Sequence, residues 1–239
     1  MDGKKKESPV DTSSAATAIL EEGFVVLPQI VPAEQIAILR ERMLADLETM
    51  RARPDGFATQ FSQGNIQQDP PPFPPYLFRE VLSNDTVIEV TRAVLGDGII
   101  NTFYSGNTNL PGSTTQPVHF DTGHIWPGCA HPPHMLVINV PLVNFTEANG
   151  ATEIWPASHL IADVGTPGSI RLRQEDLDAQ RSRRAPFQVE MNAGDILIRD
   201  MRLWHRGMPN HTDQVRTMIA MIHVPRWWRF DHSDVFPGN

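Results

Sequence analysis

The second half of the chain constrains the fold most, because from Ile99 onward short apolar runs alternate with turn-forming segments. The runs include "HMLVINVPLV", "DILIRDMRLWH" and "VRTMIAMIHV", and the segments between them include "PGSTTQ", "TEANG" and "GMPNHTD". Short runs rich in β-branched residues and bounded by Gly, Pro and Asn are typical of strands. Many such strands in succession predict a β-sandwich or jelly roll.

The first half has a different pattern, with apolar residues at helical spacing. A helix is predicted to begin near Pro32, and the apolar residues of its buried face follow. These are Ile36, Leu39, Met43, Leu44 and Leu47. A later amphipathic helix is predicted to have Asn84 or Asp85 as its N-cap and to end at Gly96.

One domain, residues 15–239, is predicted to follow a disordered, polar tail at residues 1–14. Its helical part, residues 15–98, starts with a helix to about Glu22 that leads through Gly23 into a strand, Phe24–Leu27. Residues 99–239 form the jelly-roll part. Within it, residues 161–186 are strongly charged and lack a strand pattern, which predicts a lid-like surface insertion. The predicted class is therefore mainly β with flanking helices.

Composition limits the classes of partner. The chain has 28 acidic and 20 basic residues and a net charge of −8, which argues against nucleic acid or an anionic membrane as the partner. Cys129 is the only cysteine, so an intrachain disulfide is impossible. No apolar run approaches the roughly 20 residues that span a bilayer. We expect a soluble cytoplasmic protein, monomeric or homodimeric, that acts on a small molecule.

The stretch "QPVHFDTGH" concentrates imidazole and carboxylate groups, with His119 and Asp121 two residues apart. In extended backbone, two such side chains point the same way and can bind one ion. Alone, the stretch is compatible with a metal site, an acid/base pair or a polar loop. His205, at the end of "AGDILIRDMRLWHRG", is the candidate third ligand. Two histidines and one carboxylate form the facial triad of non-haem Fe(II) oxygenases.

Arg216 follows His205 by eleven residues (216 − 205) and lies in an apolar strand. A buried guanidinium needs an anionic partner, because an unpaired buried charge is costly. The far carboxylate of 2-oxoglutarate would satisfy it through a bidentate pair. A structural ion pair with Asp195 or Asp200 would do so equally, and the sequence leaves both interpretations open.

Four segments in order resemble the phytanoyl-CoA dioxygenase (PhyH) family of Fe(II)/2-oxoglutarate-dependent oxygenases. They are "EEGFVVLPQIVPAEQIAILRERM", "LPGSTTQPVHFD", "TEANGATEIWPASH" and "AGDILIRDMRLWHRGMPNHTDQVR", and the resemblance extends from about Leu20 to Val224. It implies a double-stranded β-helix of the cupin-like, jelly-roll kind. It also implies that iron is held by His119, Asp121 and His205, and that Arg216 binds 2-oxoglutarate.

The resemblance further implies a reaction. Fe(II), 2-oxoglutarate and O₂ would serve to hydroxylate or otherwise oxidise an unactivated C–H bond of a small molecule, such as a specialised metabolite or amino-acid derivative, with release of succinate and CO₂. No catalytic residue beyond the metal ligands is expected. Gln116 and Asn139 match positions that border the cosubstrate. Two alternatives stay open: an acyl-CoA hydroxylase, suggested by Arg181, Arg183 and Arg184, and a non-catalytic cupin-like module that binds a metal or ligand.

Other residues near the motif are weaker candidates. Phe120, His124 and Trp126 are candidate substrate contacts, and packing or loop positions explain them as well. His131 and His134 could bind a second metal or lie in a loop. The chain departs from phytanoyl-CoA hydroxylases at Gly207, where they carry a serine that helps to bind the cosubstrate carboxylate. Nearby Thr212 or Thr217 could supply a hydroxyl instead.

Overall fold

Five α-helices and nine strands are present in the part of the chain that the computed structural model describes, residues 10–53, 64–126, 128–165 and 169–228. The helices are α1 (Thr12–Glu22), α2 (Ala33–Arg51), α3 (Arg79–Leu82), α4 (Asp85–Leu95) and α5 (Gln174–Arg183). The strands are β1 (Phe24–Leu27), β2 (Asn65–Gln67), β3 (Ile100–Asn109), β4 (Leu136–Pro141), β5 (Glu153–Ile154), β6 (Phe187–Gln188), β7 (Ile196–Asp200), β8 (His205–Arg206) and β9 (Arg216–Val224). A short 3-10 helix, Ser158–Leu160, follows β5.

Helix α1 begins earlier than predicted. Asp11 is its N-cap, and the carboxylate accepts hydrogen bonds from the backbone N–H groups of Ser13 and Ser14. The predicted disorder up to residue 14 is therefore wrong for residues 12–14, because an acidic N-cap satisfies the free amides of the first turn. The rest of the predicted tail, residues 1–9, lies outside the described residues.

The other predicted helix boundaries agree with the structure. Helix α1 ends at Glu22, and Gly23 takes a left-handed φ of 90° before β1 begins at Phe24. Helix α4 has Asn84 as its N-cap, with the side chain accepting from the N–H groups of Thr86 and Val87. Glycine and asparagine act here as local stop and start residues, which is why the sequence alone located them.

The strands form two antiparallel sheets. The large sheet has six strands in the order β1-β7-β4-β9-β3-β2, and the small sheet has three in the order β6-β5-β8. Neighbours in the large sheet come from distant parts of the chain, as in β1 beside β7 and β4 beside β9. This arrangement of two sheets agrees with the predicted jelly roll.

Alternation along the large sheet separates a packed face from a cavity face. Ile138, Ile198 and Met221 belong to one hydrophobic core with residues of α1, α2 and α4. Because side chains alternate between faces, Asn139 and Arg199 point to the other side, where they line a cavity. The helices thus cover one face of the sheet and leave the opposite face available for a site.

The predicted insertion, residues 161–186, contains a helix that the sequence did not indicate. Within α5, the amide of Gln180 is buried and donates from Nε2 to the carbonyl of Pro156 at 2.8 Å. This bond ties the charged segment to the end of the small sheet, so α5 packs on the barrel. A lid-like role for the segment stays a prediction. In the described ranges, no helix combines the length and apolar character needed to cross a membrane.

Candidate metal centre

His119 and His205 face each other across a two-residue antiparallel bridge. The N–H of His119 donates to the carbonyl of His205 at 3.0 Å, and the N–H of His205 donates back at 2.9 Å. Their ring centroids lie 4.4 Å apart. Folding therefore brings together two histidines that are 86 residues apart in the chain (205 − 119).

Each imidazole is held in a defined orientation by a backbone carbonyl. Nδ1 of His119 lies 2.9 Å from the oxygen of Pro117, and Nδ1 of His205 lies 2.9 Å from the oxygen of Leu203. A carbonyl oxygen can only accept, so each Nδ1 must carry a proton, and Nε2 is the ring nitrogen that is left to face a metal. Neutral imidazoles fixed in this way are typical of metal ligands.

The carboxylate of Asp121 supplies the third donor atom. Its Oδ1 lies 3.8 Å from Nε2 of His119 and 3.5 Å from Nε2 of His205. The three donor atoms all lie within 4.8 Å of one another, and in the described part of the chain they form the one such group of His, Cys, Asp and Glu. Two imidazole nitrogens and one carboxylate oxygen that could bind one ion from the same side match the facial triad of Fe(II).

The second oxygen of Asp121 has a different partner. Nη2 of Arg199 donates to Oδ2 at 2.7 Å, and Nε of Arg199 lies 3.4 Å from Oδ1 of Asn139. Burial alone would raise the pKa of Asp121, but the charge and hydrogen bond of Arg199, together with His205 and His119, hold that pKa well below its usual range. Burial, reinforced by the charge of Arg199, lowers the pKa of His205 to about 3. At neutral pH Asp121 is therefore charged and His205 is not.

The triad lies on the wall of a cavity of about 590 Å³. Arg216 lines the same cavity, is 1% exposed, and has two guanidinium nitrogens, Nε and Nη1, without a hydrogen-bond partner. The guanidinium lies 4.5 Å from the ring centroid of Phe145. This contact supports the side chain but supplies no hydrogen-bond acceptor.

The structural ion pair considered for Arg216 is absent from the described structure. Asp195 accepts hydrogen bonds from the backbone of Gln29 and Asn192, and Asp200 pairs with Arg202 at 2.6 Å. Neither carboxylate is engaged by Arg216. A buried arginine with free donors on a cavity wall is thus arranged to receive an anion from the cavity.

Gln116 and Asn139, the two residues expected to border the cosubstrate, also line the cavity. Oε1 of Gln116 accepts from the N–H of Gly207 at 2.8 Å. A Cβ at Gly207 would lie 2.8 Å from that oxygen and 3.1 Å from Oδ1 of Asn65. The side chains of Gln116 and Asn65 therefore fill the space that a serine at position 207 would need.

The expected replacement hydroxyls are not in the cavity. Oγ1 of Thr217 pairs with Oγ1 of Thr108 at 3.0 Å, and Oγ1 of Thr212 donates to Oδ1 of Asn210 at 2.7 Å. Thr217 neighbours Arg216 on β9, so alternation turns it to the opposite face. The expectation for these two threonines is wrong, and the polar groups found beside Gly207 are amides.

The three candidate substrate residues lie away from the described cavity lining. Phe120 is buried in a cluster with Val118, Trp155 and Trp204, because it alternates with His119 and Asp121 along the chain. Nδ1 of His124 lies 3.3 Å from Nη1 of Arg202. Trp126 is 57% exposed and meets His131 edge-on. None of the three is among the described residues that line the cavity, and their role as substrate contacts stays a prediction.

A second metal site at His131 and His134 also finds no support. Nε2 of His131 accepts from the N–H of Ile125 at 3.0 Å, and its ring lies 5.1 Å from that of His134. These histidines surround Arg202, whose charge adds to burial in lowering the pKa of His134 to about 4. The cluster packs around a cation, which opposes a second cation there.

Arg199 and Asn65 are among the cavity-wall residues that were missed from the sequence. Arg199 sits in the apolar run "DILIRD", and its place beside Asp121 depends on which face of β7 turns inward. Asn65 lies in a three-residue strand that lacks an alternating pattern, and both of its side-chain polar atoms are buried without a partner. The only sequence indication was a charged residue within an otherwise apolar strand.

Comparison with known proteins agrees with this geometry. The family model "Phytanoyl-CoA dioxygenase (PhyH)" matches residues 19–218, which include the triad and Arg216. This chain belongs to the phytanoyl-CoA dioxygenase family. The predicted family is therefore confirmed.

The relatives matched by sequence are distant from this PhyH-family chain. It is 30% identical over 142 residues to dioxygenase af480 of Aspergillus fumigatus, covering 57% of this chain but 40% of that protein. It is 27% identical over 234 residues to iron/alpha-ketoglutarate-dependent dioxygenase ausO of Aspergillus calidoustus, covering 86% of this chain and 70% of the relative. The chain thus spans less than half of the first relative's length.

A solved structure supports the fold. The non-haem alpha-ketoglutarate-dependent carbocyclase SnoK from nogalamycin biosynthesis superposes with a TM-score of 0.67 at 15% identity, covering 92% of this PhyH-family chain and 87% of SnoK. At this identity the likeness concerns the fold alone. The predicted jelly roll is confirmed.

Proposed function

We propose that this chain is an Fe(II)- and 2-oxoglutarate-dependent oxygenase that oxidises an unactivated C–H bond of a small molecule. The observation that carries the proposal is the shared cavity. His119, Asp121 and His205 converge on one side of it, and Arg216 presents unpaired donors on the same wall. A metal triad alone suits many reactions, but a triad with a buried free arginine suits a chelating diacid.

The residues divide into those that would hold iron and those that would hold the cosubstrate. His119, Asp121 and His205 would bind Fe(II), Arg216 would bind the far carboxylate of 2-oxoglutarate, and Gln116 and Asn139 would border it. When bound, iron and 2-oxoglutarate activate O₂ for oxidation of the substrate, yielding succinate and CO₂. The protein groups orient the reactants and limit the access of water.

The cavity supports a small-molecule substrate. Its volume of about 590 Å³ lies in the range of sites for small ligands, and apolar residues beside the triad include Val137, Met201 and Ile222. Hydroxylation is the simplest outcome. Ring closure, as the name of SnoK states for that protein, is a second outcome open to the same site. Cytoplasmic location and a monomeric or homodimeric state stay predictions.

The acyl-CoA alternative loses its structural motivation. Arg184 pairs with Glu22 at 2.6 Å, and Arg181 lies 3.5 Å from Asp178 and over the ring of Trp155. These arginines are not among the described residues that line the cavity. Arg181 and Arg184 thus already have partners within the chain, and a coenzyme A thioester is not needed to explain them.

Coupled turnover tests the proposal against a binding module without turnover. The protein with Fe(II), 2-oxoglutarate and O₂ should release succinate, and a substrate from a panel of specialised metabolites and amino-acid derivatives should increase that release. Asp121→Ala should abolish the release, whereas Arg92→Gln, at an exposed ion pair with Asp97, should leave it unchanged. Binding of iron and 2-oxoglutarate without any succinate would favour the module.

A further inference from the structure

Arg199 is a charged residue within a buried strand. Its neighbours Ile196, Leu197 and Ile198 are buried apolar residues of β7, and Arg199 itself is 6% exposed. Burying a guanidinium is expensive unless it is paired and hydrogen-bonded. Its partners therefore indicate why a cation occupies this position.

Both partners of Arg199 belong to the site. Nη2 donates to Oδ2 of Asp121 at 2.7 Å, and Nε lies 3.4 Å from Oδ1 of Asn139. The contact with Asn139 restrains the guanidinium from the neighbouring strand, β4. The guanidinium thus reaches the carboxylate from a rigid part of the sheet.

The two oxygens of Asp121 consequently have separate roles. Oδ2 is occupied by Arg199, while Oδ1 lies 3.5 Å from Nε2 of His205 and 3.8 Å from Nε2 of His119. The backbone of Asp121 is fixed by its N–H, which donates to the carbonyl of Met201 at 3.0 Å. That bond restrains the main chain but leaves the carboxylate free to rotate. Arg199 is the group that restrains its rotation.

We propose that Arg199 is a positioning residue that makes Asp121 bind the metal through Oδ1 alone. The inference rests on the proposed function and deepens it. Three single-point protein ligands leave three positions on an octahedral ion. If Oδ2 also bound, the protein would occupy four of the six positions. Only two positions would then be left, whereas a bidentate cosubstrate and O₂ need three. Arg199 therefore preserves the position that the reaction requires.

Cobalt(II) in place of iron provides a readout that is independent of activity, because its visible absorption depends on coordination number and geometry. Arg199→Met removes the donor and the charge, and Arg199→Lys keeps one donor and the charge. Arg202→Met is the matched control, since Arg202 is also buried and paired with a carboxylate, Asp200, at 2.6 Å. Arg202→Lys replaces it if Arg202→Met does not fold.

Arg199→Met should change the position or intensity of the cobalt bands and weaken cobalt binding about tenfold or more. It should also weaken 2-oxoglutarate binding to the cobalt protein about tenfold, because a coordination position is lost. Arg199→Lys should lie closer to the wild type than Arg199→Met. The Arg202 control should keep the wild-type spectrum, whatever its stability.

Two results would overturn the proposal while leaving the proposed function intact. One is a wild-type spectrum and wild-type affinities in Arg199→Met with only a loss of stability, which marks Arg199 as structural. The other is the same spectral change in the Arg202 control, which marks a general effect of disturbing the fold. If the wild-type protein binds neither cobalt nor iron at the triad, the proposed function itself fails.

Discussion

His119 and His205 are held opposite each other by two backbone hydrogen bonds of 3.0 and 2.9 Å. Nδ1 of each ring is directed at the backbone carbonyl two residues before it. The placement of the two imidazole donors is therefore a property of the folded backbone. The two histidines separate when the barrel unfolds, because 86 residues lie between them (205 − 119). Metal binding and folding must then be coupled.

Metal should accordingly stabilise the folded protein. A ligand at a hundred times its Kd adds about 2.7 kcal/mol to the free energy of unfolding, which corresponds to roughly 5–10 °C in Tm for a chain of this size. Anaerobic thermal unfolding with and without Fe(II) measures the shift. His205→Ala should show little of it, and an undiminished shift in that variant would place the stabilising metal elsewhere.

Loss of Arg216 should affect the cosubstrate and spare the metal. Removing a buried guanidinium that pairs with a carboxylate should weaken 2-oxoglutarate binding about a hundredfold. Arg216→Ala can be compared with wild type by titrating 2-oxoglutarate and Fe(II) separately. Equal losses of both affinities would instead identify Arg216 as a structural residue.

Position 207 provides a test of the amides that replace the family's serine. Gly207→Ser should weaken 2-oxoglutarate binding several-fold, because a Cβ there meets Oε1 of Gln116 at 2.8 Å and must displace that side chain. Gly207→Ala should have a similar effect, since the cause is the Cβ and not the hydroxyl. Tighter 2-oxoglutarate binding by the serine variant would contradict the structure.

Acid should destabilise the protein through His223. Burial lowers the pKa of this histidine to about 4 from 6.5, and its Nδ1 lies 3.1 Å from Oγ1 of Thr91 on α4. A depressed pKa means that the unfolded chain binds the proton first, so the contribution is present above pH 6.5 and is lost as the pH falls towards 4. Urea unfolding should show about 2 kcal/mol of this loss by about pH 5.

His223→Leu should remove that share of the pH dependence. Other buried histidines also titrate in this range, so the informative quantity is the difference in slope between the variant and the wild type. An identical slope in His223→Leu would show that His223 is not the group responsible.

Local features made much of this molecule predictable. Strand β1, the end of α1 at Gly23 and the N-cap at Asn84 follow from residues whose preferences act over a few positions. The triad and Arg216 were predicted because their spacing and surroundings resemble a known family. Their roles as ligands stay a prediction, and their convergence is what the structure contributes.

The features that were missed depend on which face of an element turns inward. Phe120 was expected near the substrate, but strict alternation beside His119 turns it to a separate core. Arg199 was overlooked because a sequence does not say that β7 and Asp121 approach one another. In the same way, the carboxylate of Asp11 extends α1 into residues that composition alone assigned to a disordered tail.

The central claim is that the triad and Arg216 form one iron and 2-oxoglutarate site, and an anaerobic titration tests it most directly. Adding Fe(II) and then 2-oxoglutarate should produce a weak visible metal-to-ligand charge-transfer band. The band should be absent in His119→Ala and Asp121→Ala, and in Arg216→Ala it should require far more 2-oxoglutarate. A wild-type protein that never develops the band, or a band that survives Asp121→Ala unchanged, would contradict the account.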